Sequence, residues 1–174
     1  MIDVLILGKG YIGTALYNNL SQRSDLEVRI VSKSELQYDD PKTFKETITS
    51  RVNIMPWASN LIVINASGYT GRPNVDACET DRDRAWYYNV TVPGMIGDTC
   101  SRHVVHNIHI SSGCIYNGYD KEYNECDEPN FGLKEEYSSW YSKTKHAGEL
   151  KLYGTNSHIF RIRMPFCSTT SERN

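Results

Sequence analysis

The chain has 174 residues, with 19 lysines and arginines against 21 aspartates and glutamates and a formal net charge of −2. That length suffices for one core and one domain, and the near-even charge balance argues against a nucleic-acid partner. The start, Met1-Ile2-Asp3, leads directly into a short apolar stretch. With no basic leader and no run long enough to cross a bilayer, the reading is no membrane segment and a cytoplasmic location.

Taken in chain order, Ile2 to Leu7 is almost wholly aliphatic, as a parallel strand buried on both faces should be. Tyr11 to Leu20 follows with helical spacing. Between them stands Gly8-Lys9-Gly10-Tyr11-Ile12-Gly13, a glycine turn able to hold a dinucleotide pyrophosphate. Gly8 permits the tight turn, Gly10 lets backbone approach the phosphates, and Gly13 lets helix and strand pack closely. Tyr11 and Ile12 open the helix whose N-terminus supplies partial positive charge, so all five are cofactor-binding candidates. The second strand, Leu26 to Ser32, ends in Ser32-Lys33-Ser34 instead of the acidic residue that usually receives an NAD ribose. Ser32 and Lys33 therefore join the cofactor candidates. With Lys9 they favour a 2′-phosphate, hence NADP(H), with NAD(H) as the alternative.

Asp40-Pro41 starts a helix over Lys42 to Arg51, and further strands read at Leu61 to Ala66, Val104 to Ser111 and Ser157 to Met164. Strand and helix in alternation imply an α/β fold with a doubly wound parallel sheet, a Rossmann-type domain over residues 1–174. Amphipathic helices around Asp83 to Cys100 and Tyr137 to Tyr153 could pair with their copies in a homodimer, covering Trp86 and Trp140, or could pack those rings into the chain's own core. Gly118 to Glu136 is one long polar loop of the kind that contacts ligand. After Phe160-Arg161-Ile162-Arg163 the chain passes Met164-Pro165-Phe166 to a polar Ser171-Glu172-Arg173-Asn174, which reads as a domain lacking its closing element.

Five cysteines, Cys78, Cys100, Cys114, Cys126 and Cys167, are odd in number and lack CxxC spacing, so neither disulfides nor zinc is expected. His103, His106 and His109 lie in an apolar run, where pleating turns His106 away from the other two. No metal site is assigned.

Tyr141 and Lys145 stand four residues apart on one helix face, where an ammonium beside a phenol would lower its pKa and fit it for proton transfer. Ser112 lies at the carboxyl edge of a strand, where its hydroxyl could bond a substrate carbonyl becoming an oxyanion. Ser111 competes for that role, and the strand pleat alone does not decide between them.

The glycine turn, Asn65-Ala66-Ser67, Asn89-Val90, Ser111-Ser112-Gly113-Cys114-Ile115-Tyr116 and Tyr141-Ser142-Lys143-Thr144-Lys145 together resemble the extended short-chain dehydrogenase/reductase superfamily. Within it, Tyr69-Thr70-Gly71-Arg72-Pro73-Asn74-Val75-Asp76, Glu128-Pro129-Asn130-Phe131 and Arg161-Ile162-Arg163-Met164-Pro165 resemble the dTDP-4-dehydrorhamnose reductases, and more closely the plant reductase-epimerases of UDP-rhamnose synthesis. The resemblance implies Tyr141 as proton donor and Lys145 as ligand of the nicotinamide ribose. It further implies Ser112 as carbonyl partner, Asn89 as the residue tying the lysine to a water relay, and Ala66 at the cofactor. Cys114 matches the cysteine that removes a proton beside the sugar ketone in similar epimerases. Family members continue well past Asn174, and that portion holds most nucleotide and sugar contacts. The implied activity is reduction, with 3,5-epimerisation, of a nucleotide-linked 4-keto-6-deoxyglucose. Reduction alone, or a non-catalytic NADP-binding subunit similar to the regulatory subunit of methionine adenosyltransferase, are the alternatives.

Overall fold

The computed structural model describes residues 1–54, 60–119 and 121–165; Phe166, Cys167 and the Ser171 to Asn174 tail lie outside the described residues. Five strands, β1 (Ile2–Leu7), β2 (Leu26–Val31), β3 (Leu61–Asn65), β4 (His106–Ser112) and β5 (Ser157–Ile162), form one sheet in the order β2-β1-β3-β4-β5, every pair parallel. The helices are α1 (Tyr11–Leu20), α2 (Lys33–Leu36), α3 (Pro41–Ile54), α4 (Arg82–Trp86), α5 (Val92–Arg102) and α6 (Trp140–Leu152). The chain runs from β1 to β2 on one side and returns across β1 to β3 on the other. The winding therefore reverses between β1 and β3, where Leu7 and Asn65 stand in register. Ligands of open α/β sheets bind in the crevice at such a reversal, beyond the carboxyl ends of the strands. A strand outside β2, which the six-stranded dinucleotide fold would carry, is absent among the described residues, and the chain after β2 goes directly into α2 and α3.

The pleat divides the core. Leu5 and Leu7 face Leu36, Phe44, Ile48, Val92 and Ile96 on one side, while Val4, Ile6 and Ile64 face Leu16, Tyr17 and Leu20 of α1 on the other. β1 and α1 have the bounds that the hydrophobic pattern predicts.

Other boundaries differ for local reasons. β4 starts at His106, not Val104, because Val104 takes φ 57° and the Val105 N–H bonds the Cys100 carbonyl at 2.8 Å, closing the end of α5. β5 ends at Ile162, and Met164 has φ 46°. α6 starts at Trp140, not Tyr137, because the Ser139 hydroxyl caps it, accepting from the Ser142 N–H at 3.2 Å. The helix expected over Asp83 to Cys100 is α4 and α5 joined by a π-helical turn, Tyr87–Thr91. Pro93 has no N–H to return to the carbonyl of Asn89, four residues back, and the widened turn accommodates it. Trp86 and Trp140 pack on each other with ring centroids 6.1 Å apart, and Trp86 remains 37% exposed.

Candidate cofactor and proton-transfer site

The glycine turn sits on the crevice. Gly8 has φ 106°, and a Cβ there would lie 2.9 Å from the Ser67 nitrogen, so the turn after β1 can lie against the segment after β3 only without a side chain. A Cβ on Gly13 would lie 1.9 Å from the Gly8 carbonyl, which forces glycine where α1 meets the turn. A Cβ on Gly10 would meet nothing within 4 Å, so its backbone faces open space. Gly10 is the N-cap of α1, no side chain caps it, and the first turn, opened by Tyr11 and Ile12, carries no acidic residue. A helix N-terminus without a side-chain cap, beside open space, suits a diphosphate. Ala66 follows β3 with its N–H on the Leu7 carbonyl at 3.0 Å, lining the same crevice.

At the end of β2 the candidate side chains are already engaged. Ser32 caps α2 in a capping box, its N–H and hydroxyl both donating to Glu35 at 2.8 and 2.6 Å. Lys33 lies 3.3 Å from Asp39 and 4.5 Å from the centre of the Tyr88 ring.

Ser112, Cys114, Tyr141 and Lys145 meet at the carboxyl edge of β4. Alternation sends Ser111 and Ser112 to opposite sides, and their partners separate them: Ser111 donates to Glu149 in the interior, whereas the Ser112 hydroxyl accepts from the Cys114 N–H at 3.2 Å and lies near enough to Tyr141 to act on its phenol. Cys114 occupies the turn after β4 and packs with Cys78 around Tyr141. The Ser142 hydroxyl pins that turn through the Cys114 carbonyl at 2.7 Å. Lys145 is 5% exposed and donates to the Ile110 carbonyl at 3.1 Å.

The electrostatics depart from the expectation that Lys145 lowers the phenol's pKa. Burial pushes Tyr141 up to about 12, with the Ser112 hydroxyl pulling weakly the other way. Burial likewise pulls Lys145 down to about 8 against the opposing charge of Glu149. Desolvation leads both shifts, and neither group is among the causes of the other's. Tyr141 is thus a neutral phenol able to donate a proton.

Asn89 lies in the π-helical turn. Its amide donates to the Tyr69 carbonyl at 2.9 Å and the Thr144 hydroxyl at 3.0 Å, and its oxygen accepts from the Tyr69 N–H at 2.8 Å. The side chain ties the segment after β3 to α6 and does not hydrogen-bond Lys145. Its main-chain carbonyl abuts α6 so closely that a Cβ on Gly148 would lie 2.1 Å from it.

Sequence reasoning missed the interior behind this edge. Glu149, fully buried one turn after Lys145, accepts from Ser111 and from Arg161, whose Nε and Nη2 approach it at 3.1 and 2.8 Å. Arg161 also donates to the Tyr116 hydroxyl, which donates to the Asp127 carbonyl at 2.8 Å in the long loop before α6. The legible signal was Tyr141, Lys145 and Glu149 at spacing four on one buried helix face. His109, fully buried, has its Nδ1 3.1 Å from the Asn65 amide nitrogen. It points to the face opposite exposed His106, while His103 follows α5 off the strand; among the described residues no cluster could hold a metal.

The family model for the RmlD substrate-binding domain matches residues 2–174. The chain belongs to this family. As an RmlD-family chain it is 33% identical over 177 residues to the trifunctional UDP-glucose 4,6-dehydratase/UDP-4-keto-6-deoxy-D-glucose 3,5-epimerase/UDP-4-keto-L-rhamnose-reductase of Arabidopsis thaliana, an alignment covering 96% of this chain and 24% of that protein. It is 38% identical over 123 residues to the bifunctional dTDP-4-dehydrorhamnose 3,5-epimerase/dTDP-4-dehydrorhamnose reductase of the same plant, covering 64% and 38%. Among solved structures, the UDP-rhamnose synthase of Acanthamoeba polyphaga mimivirus aligns with a TM-score of 0.77 at 24% identity, covering 99% of this chain and 59% of that one. The dTDP-4-dehydrorhamnose reductase of Bacillus anthracis, solved in complex with NADP, aligns at 0.74 and 20% identity over 94% and 53%. At those identities the structures bear on the fold alone. The chain spans about a quarter of the length of the trifunctional relative and just over half that of the two solved structures.

Proposed function

We propose that residues 1–174 are the dinucleotide-binding and proton-transfer part of an NADP(H)-dependent reductase, also a 3,5-epimerase, acting on a nucleotide-linked 4-keto-6-deoxyhexose to give a nucleotide-rhamnose. One juxtaposition carries the reading. The glycine turn lies at the sheet's reversal point, and Ser112, Tyr141 and Lys145 converge at the same carboxyl edge two strands away. The relatives named above, which carry out rhamnose-pathway reductions and epimerisations, support the substrate class.

The residues fit the cofactor: the start of α1 would take the diphosphate, Ala66 would line its crevice and Lys145 would hold the nicotinamide ribose. The bound nicotinamide supplies a hydride to C4 of the sugar. Tyr141, neutral and beside Ser112, gives its phenolic proton to the C4 oxygen, and Ser112 bonds that oxygen while charge develops on it. Cys114, at the turn beside Tyr141, removes the proton from carbons flanking the ketone, where the carbonyl acidifies C–H bonds. The water relay would run through the Asn89 main-chain carbonyl.

The epimerase step separates from reduction by mutation. In the protein that joins residues 1–174 to a substrate-binding portion, Cys114→Ser abolishes solvent-deuterium incorporation at C3 and C5 and leaves reduction of an already epimerised 4-keto sugar nearly intact. Full exchange in that variant would make the thiol structural and leave a reductase alone.

A further inference from the structure

The geometry points to a dianion seat for the cofactor's 2′-phosphate formed by Lys33 and Arg84 around Tyr88, with Asp39 as the internal anion that occupies it when the phosphate is absent. This rests on the NADP(H) reading above and names the residues that would set its specificity.

Lys33 begins α2 directly beyond the second strand, where an adenosine ribose would end. By itself it is a point charge and a poor discriminator of phosphate. The structure supplies a second, fork-shaped cation. The Arg84 guanidinium in α4 lies 5.9 Å from the centre of the Tyr88 ring and 5.2 Å from that of Tyr69, while the Lys33 ammonium lies 4.5 Å from the Tyr88 ring. Tyr88 is therefore a platform shared by two cations from elements far apart in the chain, which would repel each other without an anion nearby. Asp39 is that anion: it pairs with Lys33 at 3.3 Å and accepts from the Tyr88 hydroxyl. Arg84 and Lys33 both help hold its carboxyl below the ordinary carboxylate range, after the larger effect of the Tyr88 hydrogen bond.

Asp39 is 83% exposed in its side chain, Lys33 47% and Arg84 52%. An exposed carboxylate held by one cation and one phenol is weakly bound, so a ligand phosphate carrying about twice its charge displaces it. Asp81, 3.8 Å from Arg84, is too long-bonded to hold the guanidinium in place and leaves its fork available. The platform is itself fixed: Tyr88 is 9% exposed and packs edge-on against Tyr38, 6.0 Å between centroids, which in turn stacks on Phe44 at 4.7 Å.

Asp39 thus acts against NADP(H) and not against NAD(H), whose free 2′-hydroxyl carries no competing charge and can donate to a carboxylate. Calorimetric titration of the purified chain with NADPH, NADH and 2′,5′-ADP tests this. Arg84→Gln is expected to weaken NADPH and 2′,5′-ADP about tenfold while leaving NADH unchanged, and Asp39→Asn to tighten both phosphorylated ligands several-fold without tightening NADH. Should Arg84→Gln lower the melting temperature, Arg84→Lys, which keeps the charge but loses the fork, reports instead with an intermediate loss. Unchanged NADPH affinity in both Arg84→Gln and Asp39→Asn overturns the seat while leaving the cofactor reading in place. A folded wild-type chain that binds neither NADPH nor NADH overturns both.

Discussion

Arg161→Ala lowers the stability of the chain by about 3–5 kcal/mol, measured as a shift in the urea midpoint at constant slope. The size follows from what the truncation leaves behind. Glu149 is fully buried, its carboxylate is met by Nε and Nη2 of Arg161 at 3.1 and 2.8 Å, and its other donor is the neutral hydroxyl of Ser111. Without the guanidinium, a charge stays in the interior with no cation hydrogen-bonded to it, only the through-space attraction of Lys145. Removing both partners is expected to cost less than removing Arg161 alone, so the double variant Arg161→Met/Glu149→Met should recover part of the loss. Equal destabilisation of single and double variants would mean that packing, not charge, is what Arg161 supplies. Tyr116 gives a local readout. Its hydroxyl joins Arg161 to the carbonyl of Asp127, so protease sensitivity of the long loop should rise in Arg161→Ala before the sheet unfolds.

Tyr141→Phe is expected to lower reduction of the 4-keto sugar about 10²- to 10⁴-fold with little effect on stability, because it removes one proton donor and leaves the ring packed with Cys78 and Cys114. The pH profile supplies the sign. Tyr141, raised to about 12, stays protonated across the working range, so it does not set an upper limit. Lys145, lowered to about 8, does: if it holds the ribose as proposed, it loses the proton for that contact above that pH, and reduction declines. The same depressed value means that the unfolded chain holds more protons than the folded one between about 8 and 10.5. The contribution of Lys145 to folding stability is therefore least below pH 8 and rises through that window. A reduction rate flat from pH 7 to 10 would remove Lys145 from the mechanism.

The parts of this molecule legible in the sequence are those dictated by local pattern. An aliphatic run with a glycine turn and a helical repeat produces β1 and α1 at the expected residues, because their boundaries are set by glycines whose missing side chains the packing requires. The Tyr141 and Lys145 pair was legible from spacing, yet its electrostatics were not: the pattern showed an ammonium near a phenol, and burial of both decided their pKa values. Lys33 shows the same limit. A lysine after the second strand is visible in one dimension, but its pairing with Asp39 and its placement over Tyr88, 55 positions on, belong to the tertiary fold. Glu149 with Arg161 is the clearest case, since each is a charged residue in an amphipathic or strand pattern until α6 folds against β4 and β5. The widened turn at Asn89 was legible in Pro93 four residues on, which has no N–H for the Asn89 carbonyl.

Titration of NADPH into the purified chain, followed by calorimetry, bears most directly on the claim that the crevice between β1 and β3 is a dinucleotide site. Saturable one-to-one binding is expected, and it is lost in Gly10→Glu, a variant whose side chain enters open space and so leaves the fold and its melting temperature intact while placing a carboxylate where the diphosphate would lie. Binding that survives Gly10→Glu unchanged, or a folded wild-type chain that takes up neither NADPH nor NADH, would contradict it.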